Sequence, residues 1–371
     1  MHVHFFAGQW NNPGTGGEKY NRELFESHTG TTHLLTAVDL YQHIHDTVIR
    51  WLPRLRFTLR SRWIRSLIVQ FSLIGTIPKD TELIVVAYQD YRPFPLFQFA
   101  IRLLRWKRRF KVAIIVHHMD DYQSGMKGNF RRHLNAARAN FLLCAADRIL
   151  TISKYAKDEL KTLGHPESIL RVIYPGVDES ANLGDEHALK KRQFLCVSHV
   201  IARKGILDLV RAFSALQDTD ASLLIVGSKD LDPSYVASVQ SEIQLLGLSE
   251  RITLAGRVDP AFLERAYSQS IVFVFTSHFE GFGIAIVEAM RAGLPVVAFG
   301  NSAIPELVAD GTNGFLLNTG DTDGFGARMR DLLTSKSLRE RLSNNARISV
   351  LGKFTWSEAR EQFQHFLMEL R

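Results

Sequence analysis

Short apolar runs alternate along this chain with longer stretches whose apolar residues return every third or fourth position, the pattern of strands interleaved with amphipathic helices. The runs at 2–7 (HVHFFA), 82–88 (ELIVVAY), 112–116 (VAIIV), 148–153 (RILTIS) and 171–177 (RVIYPGV) read as strands, with helices at 18–28, 129–146 and 155–164. Residues 179–192 are polar, lack an apolar period and read as a linker. The alternation then restarts with strands at 194–199 (FLCVSH), 222–227 (SLLIVG), 252–256 (ITLAG), 272–275 (VFVF) and 294–299 (LPVVAF). Helices are expected at 206–216, 235–247, 261–270, 284–291, 325–333 and 338–350, and the final stretch, 355–371, is amphipathic. Such alternation predicts parallel sheets covered by helices. The restart predicts two domains, 1–178 and 193–352, followed by a terminal segment, 353–371.

Composition supports this division, since 371 residues at 46% apolar content suffice for two ordinary cores. Cys144 and Cys196 stand in separate apolar runs and are expected to be buried, reduced thiols rather than a disulfide or metal site, which suits the cytosol. The opening MHVHFFAG does not read as a cleavable leader, and no apolar run approaches the roughly 20 residues that span a bilayer. The expectation is a soluble or peripheral protein.

Charge is uneven. Of the formal +7, residues 1–178 hold 25 Lys/Arg against 15 Asp/Glu, net +10, and the remainder holds 20 against 23, net −3. Between Arg50 and Arg65 six arginines accompany Trp51, Leu52, Leu55, Phe57, Leu59, Trp63 and Ile64, and the segment 102–111 repeats the mixture. Both stretches read as basic amphipathic helices suited to an anionic membrane surface. Zinc, helix-turn-helix and aromatic RNA motifs are lacking, which argues against nucleic acid.

The richest chemistry lies between Phe273 and Phe299, where a strand leads through a glycine-punctuated loop holding Glu280 into a helix carrying Glu288. Gly281 and Gly283 relax the backbone before Ile284, and the amides of a helix N-terminus suit a phosphate. Glu280, seven intervening residues and Glu288, then Ala289, Met290, Gly293 and LPVVAF, resemble the E-x7-E signature of family 4 retaining glycosyltransferases of the GT-B fold. VSHVIARKGILDLVRAF (197–213) is similar to that family's phosphate-binding loop, and AADRILTISKYAKDEL (145–160) with VIYPGVD (172–178) to its passage into the linker. The resemblance covers nearly all of the second domain and, more loosely, the first. It implies two Rossmann-like parallel-sheet domains facing an interdomain cleft, with the C-terminal helix returning to the first domain.

By that resemblance Lys204 would meet the donor pyrophosphate, and Glu288 would hold ribose hydroxyls. Glu280 with the amides of Gly281, Phe282, Gly283 and Ile284 would hold sugar and phosphate, and Gly227 and Val258 would border the base. Many members carry Gly-Arg where this chain has Ser198 and His199, so Arg203 is a candidate second phosphate cation, with helix capping or solvation as its alternatives. His117 and His118 follow a strand at the end where open α/β sheets bind ligands. A histidine there would touch the transferred sugar; register favours His117, and a slip of one residue selects His118. Gly16 and Gly17 resemble the family's first loop, near the transferred sugar. A dinucleotide fingerprint fails, because Lys19 stands where a third glycine is needed after Gly14 and Gly16.

Three D-x-D triplets, Asp218/Asp220, Asp230/Asp232 and Asp321/Asp323, read as turn and helix-cap carboxylates rather than a metal site. The expectation is therefore a retaining, metal-independent glycosyltransferase of hexosyl type without a cofactor. It would move sugar from a nucleotide diphosphate sugar to a glycan or lipid-linked acceptor in bacterial surface polysaccharide assembly, as a peripheral protein on the cytoplasmic face of the membrane. The alternative is a non-catalytic scaffold or partner subunit of the same fold.

Overall fold

The computed structural model describes residues 3–7, 16–27, 32–36, 77, 79–87, 101–105, 109–117, 143–177 and 191–370. The chain divides into two compact units, Met1–Tyr174 with Ala359–Arg371, and Pro175–Glu358. The stretch 50–65, His118 and residues 179–190 of the expected linker lie outside the described residues.

In the first unit six parallel strands, β1 (Val3–Ala7), β2 (Thr32–Thr36), β3 (Leu83–Ala87), β4 (Lys111–Val116), β5 (Arg148–Thr151) and β6 (Leu170–Val172), lie in the order β2-β1-β3-β4-β5-β6. Every residue of β3 is buried, and β4 is exposed only at Lys111. Such uninterrupted apolar strands are what a parallel sheet covered on both faces requires. Helix α1 (Gly16–Glu26) follows β1, and α2 (Lys154–Thr162) begins where Ser153 accepts a hydrogen bond from the Ala156 amide at 3.2 Å. Residues after Ala359 pack with this unit: Arg360 pairs with Glu23 at 3.0 Å, Gln364 donates to the Ser27 carbonyl at 2.8 Å, and Glu369 accepts from Arg171 at 2.9 Å.

The second unit holds β7 (Gln193–Val197), β8 (Ser222–Val226), β9 (Ile252–Gly256), β10 (Val272–Phe275), β11 (Val296–Phe299) and β12 (Gly314–Leu317), all parallel, in the order β12-β11-β10-β7-β8-β9. The chain steps outward from β7 to β9, then returns to lay β10 on the other side of β7. Strand order reverses there, the point at which doubly wound sheets open a crevice at the carboxyl ends of their strands. Around the sheet lie α3 (Ile206–Ser214), α4 (Pro233–Leu245), α5 (Pro260–Gln269), α6 (Ile284–Arg291), α7 (Thr322–Thr334) and α8 (Lys336–Val350), with α9 (Trp356–Met368) last in the chain. Ile206, Leu209, Val210 and Phe213 are buried at helical spacing, so α3 turns one apolar stripe onto the sheet. Each such side chain removed from water contributes roughly 1.5–3 kcal/mol.

Caps account for the acidic residues flanking these helices. Asp232 and Asp259, each followed by proline, accept from the amides of Tyr235 and Phe262, and Asp321 accepts from Gly324. Two of the D-x-D triplets thus contribute a cap. In the third, Asp218 pairs with Arg330 at 2.7 Å and Asp220 with Arg192 at 2.6 Å.

The structure departs from expectation in three places. Strands β2 and β12 are additional to those expected from the sequence; both are short edge strands, with one neighbour each to enforce their pattern. Cys144 is exposed rather than buried, because Leu143 and Ala145 take the inward positions of the turn and leave the thiol facing out. Cys196 is buried in β7, which pushes its thiol up to about 12. Finally, Gly283 takes a left-handed backbone, φ 105°, whereas Gly281 does not.

Candidate functional site

The loops that leave β7 and β10 meet at the reversal of strand order. After β7 the chain forms a 3-10 turn, Ala202–Lys204, stopped by Gly205 at φ 63°. A side chain at Gly205 would overlap the Thr276 carbonyl oxygen, 2.1 Å from an ideal Cβ, so only glycine lets the two loops approach this closely. Hydrogen bonds lace them together: Thr276 Oγ1 donates to the Gly205 carbonyl at 2.9 Å, and the His278 amide donates to the Arg203 carbonyl at 2.9 Å. Arg203 Nη1 donates to the Phe279 carbonyl at 2.7 Å, so this guanidinium braces the Glu280 loop.

Within that frame the Lys204 ammonium donates to Glu280 Oε2. The side chains are 11% and 16% exposed, which makes this an enclosed ion pair rather than a surface one. Lys204 also lies 5.1 Å from the centre of the Phe275 ring. The Glu280 carbonyl accepts from the Ala303 amide at 3.3 Å. Three residues on, Gly283 starts α6 without a side chain to cap it, leaving first-turn amides as donors for an anion. Glu288, half-buried one turn into α6, accepts from the Tyr267 hydroxyl at 2.9 Å. Tyr267 is buried, and its phenol is pushed up by that burial and then by the Glu288 charge, so it remains a neutral donor.

His199 lies half-buried beyond β7, and its Nδ1 is enclosed without a hydrogen-bond partner among the described residues. Burial lowers its pKa, and the charges of Lys204, Arg257 and Arg203 lower it further. A neutral imidazole therefore stands where cations gather. Gly227 lies against Ser198, whose carbonyl oxygen would be 2.1 Å from a Cβ there. Val258 is half-buried in the loop after β9, beside the exposed Arg257. Sequence reasoning did not single out Tyr267, which reads as one more core aromatic on an amphipathic helix, or Arg257, which reads as an ordinary loop charge.

The remaining candidates belong to the first unit. His117 follows β4 and is buried, with Nε2 2.9 Å from Asn21 Oδ1 and its ring edge-on to Tyr20 at 5.8 Å. Asn21 was not legible as its partner, since a polar residue in α1 reads as a solvated position. Gly17 is the second residue of α1. In the basic stretch 102–111, Arg105 is committed internally, to the Ala145 carbonyl at 2.7 Å and to Asp147, while Leu103 is exposed. No described helix is long and apolar enough to cross a membrane.

A doubly wound sheet whose lysine-bearing and glutamate-bearing loops converge at the switch point is the arrangement that open α/β folds use to bind nucleotides. Comparison with known proteins agrees. Residues 14–181 match the model of Glycosyltransferase Family 4 and residues 183–349 that of Glycosyl transferases group 1. The chain belongs to the family 4 glycosyltransferases, which share the GT-B fold. It is 29% identical over 224 residues to an uncharacterized glycosyltransferase of Methanocaldococcus jannaschii, covering 56% of each chain. It is also 29% identical over 180 residues to the capsular polysaccharide biosynthesis glycosyltransferase CapM of Staphylococcus aureus, covering 47% of this chain and 46% of that protein. The chain thus spans about half the length of these curated relatives. Among solved structures, that of HepE from Anabaena in complex with UDP and glucose aligns over 100% of both chains with a TM-score of 0.72 and 18% identity, a likeness of fold.

Proposed function

We propose that this protein transfers a sugar from a nucleotide diphosphate sugar to a glycan or lipid-linked acceptor, with retention at the anomeric carbon and without a metal ion. The observation that carries the reading is the convergence of Lys204 and Glu280 at the β7/β10 reversal, beside the uncapped N-terminus of α6. Lys204 and the first-turn amides of α6 take the diphosphate, a point charge and a dipole aimed at one anion. Glu288, oriented by Tyr267, takes ribose hydroxyls, and Glu280 takes hydroxyls of the sugar. Gly227 and the backbone near Val258 border the base, while neutral His199 supplies a hydrogen-bonding group rather than a charge. Catalysis is then chiefly positioning and electrostatic stabilisation of the departing diphosphate.

UDP and glucose in the HepE complex support a sugar-nucleotide donor, and the capsular role in the Staphylococcus aureus relative's name supports surface-glycan assembly. A peripheral position on the cytoplasmic face, through the basic stretches 50–65 and 102–111, would suit a lipid-linked acceptor. In the first unit the proposal is narrower: His117 takes part in transfer, so His117→Ala lowers turnover more than nucleotide affinity.

The test is a screen of UDP-, GDP-, ADP- and TDP-sugars for release of the nucleoside diphosphate, followed by NMR of the product. Release that depends on Lys204 and Glu288, survives a chelator and gives a retained anomeric configuration supports the reading. Inversion, or an absolute need for added divalent metal, sinks the mechanism.

A further inference from the structure

The two side chains assigned above to different parts of the donor are hydrogen-bonded to each other. Their backbones are pinned. The Lys204 amide donates to the Ile201 carbonyl at 2.9 Å, and Gly205 beside it is wedged against Thr276. On the other side, the carbonyls of Phe279 and Glu280 are held by Arg203 and Ala303. The two side chains can change partner by rotation with these backbone bonds kept.

We propose that Glu280 makes this site discriminate against the nucleoside diphosphate that the reaction leaves behind. The inference rests on the proposed function. When a diphosphate arrives, it and the Glu280 carboxylate are two anions drawing on the single positive charge of one ammonium. The Glu280 carboxylate, 16% exposed, loses strength in this ion pair when its cation turns toward the diphosphate. An intact donor offsets that loss, because its sugar hydroxyls donate to Glu280 in place of Lys204. A bare nucleoside diphosphate has no such hydroxyls and leaves the carboxylate facing the new anion. Glu280 therefore weakens product binding relative to donor binding and favours release after transfer.

The experiment is calorimetric titration of the full chain with UDP, GDP, ADP and TDP, then with the glucose conjugate of whichever binds most tightly. Glu280→Gln keeps the shape and removes the charge. It should bind that diphosphate about tenfold more tightly, the effect of lifting a competing charge-assisted hydrogen bond, while its preference for the glucose conjugate over the diphosphate collapses. Glu280→Ser serves in the same way if the glutamine variant fails to fold. Asp208→Asn is the control for a general change of field: this carboxylate, 2.6 Å from His278 Nε2 in the first turn of α3, makes no bond to Lys204. Its effect should stay below about twofold under screening by salt. Equal tightening by Asp208→Asn, or unchanged or weaker diphosphate binding by Glu280→Gln, overturns the inference and leaves the proposed function standing. Failure of wild-type protein to bind any of the four diphosphates overturns both.

Discussion

Replacing Lys204 with alanine tests the site through stability and binding at once. The substitution removes the ammonium that neutralises Glu280, in a pair whose members are 11% and 16% exposed, and the stem that lies 5.1 Å from the Phe275 ring. Removing one partner of a buried pair costs about 3–5 kcal/mol, since the other charge loses its counter-ion. Residual solvent contact at both side chains places this case near the lower end, about 3 kcal/mol. For a unit the size of Pro175–Glu358, that corresponds to a fall in melting temperature of roughly 6–12 °C. Nucleoside diphosphate affinity should fall by about 1.5–3 kcal/mol, the scale of a hydrogen bond to a charged group. The double variant Lys204→Ala/Glu280→Gln separates the two effects. It removes both charges of the pair, so most of the lost stability should return while nucleotide binding stays weak. Scanning calorimetry of the three proteins and isothermal titration read the outcome. If Lys204→Ala melts with wild type, or the double variant melts as low as the single one, the pair does not hold the two loops as argued.

Tyr267→Phe deletes the donor to Glu288 and keeps the ring; nucleotide affinity should drop by about 1.5 kcal/mol. That loss should not add to the loss from Glu288→Gln, and strict additivity in a double-mutant cycle would refute the positioning role. Gly205→Ala drives a Cβ into the Thr276 carbonyl at φ 63°, at a conformational cost of roughly 1–2 kcal/mol before any overlap. A lower melting temperature together with weakened nucleotide binding is expected, and wild-type values for both would refute the close approach. His199 has a folded-state pKa below its unfolded value, chiefly from burial, so the unfolded chain takes up its proton first as pH falls. Its stabilising contribution is present above the ordinary histidine value, about 6.5, and is lost as pH drops below it. Denaturant titrations from about pH 7 to about pH 5 should show a shallower decline for His199→Gln than for wild type; buried His165 retains part of the slope. Equal slopes would refute a desolvated His199.

Much of this protein was legible in the sequence because local patterns carry it. Continuous apolar runs marked β3, β4, β10 and β11, whose two covered faces leave no room for alternation. Asp232 and Asp321, read as turn or helix-cap carboxylates, cap α4 and α7. The glutamate pair on either side of the start of α6, with the lysine loop after β7, carried the family resemblance and with it the fold. Edge strands β2 and β12 were not legible, because a short strand with one neighbour takes its pairing from the sheet rather than from its own pattern.

Tertiary structure alone decided which side chains meet. Lys204 and Glu280 stand 76 positions apart, and no periodicity couples them; they touch because β10 returns to the far side of β7 and Gly205 admits the Thr276 carbonyl. Tyr267 became the partner of Glu288, and Asn21 that of His117, in the same manner. Cys144 faces out by the phase of a single turn. Residue types and their spacing determined the elements and the chemistry on offer, since burial and capping act over a few residues. Partnership among charged and polar groups depends on strand order and close backbone approach, which only the folded chain supplies.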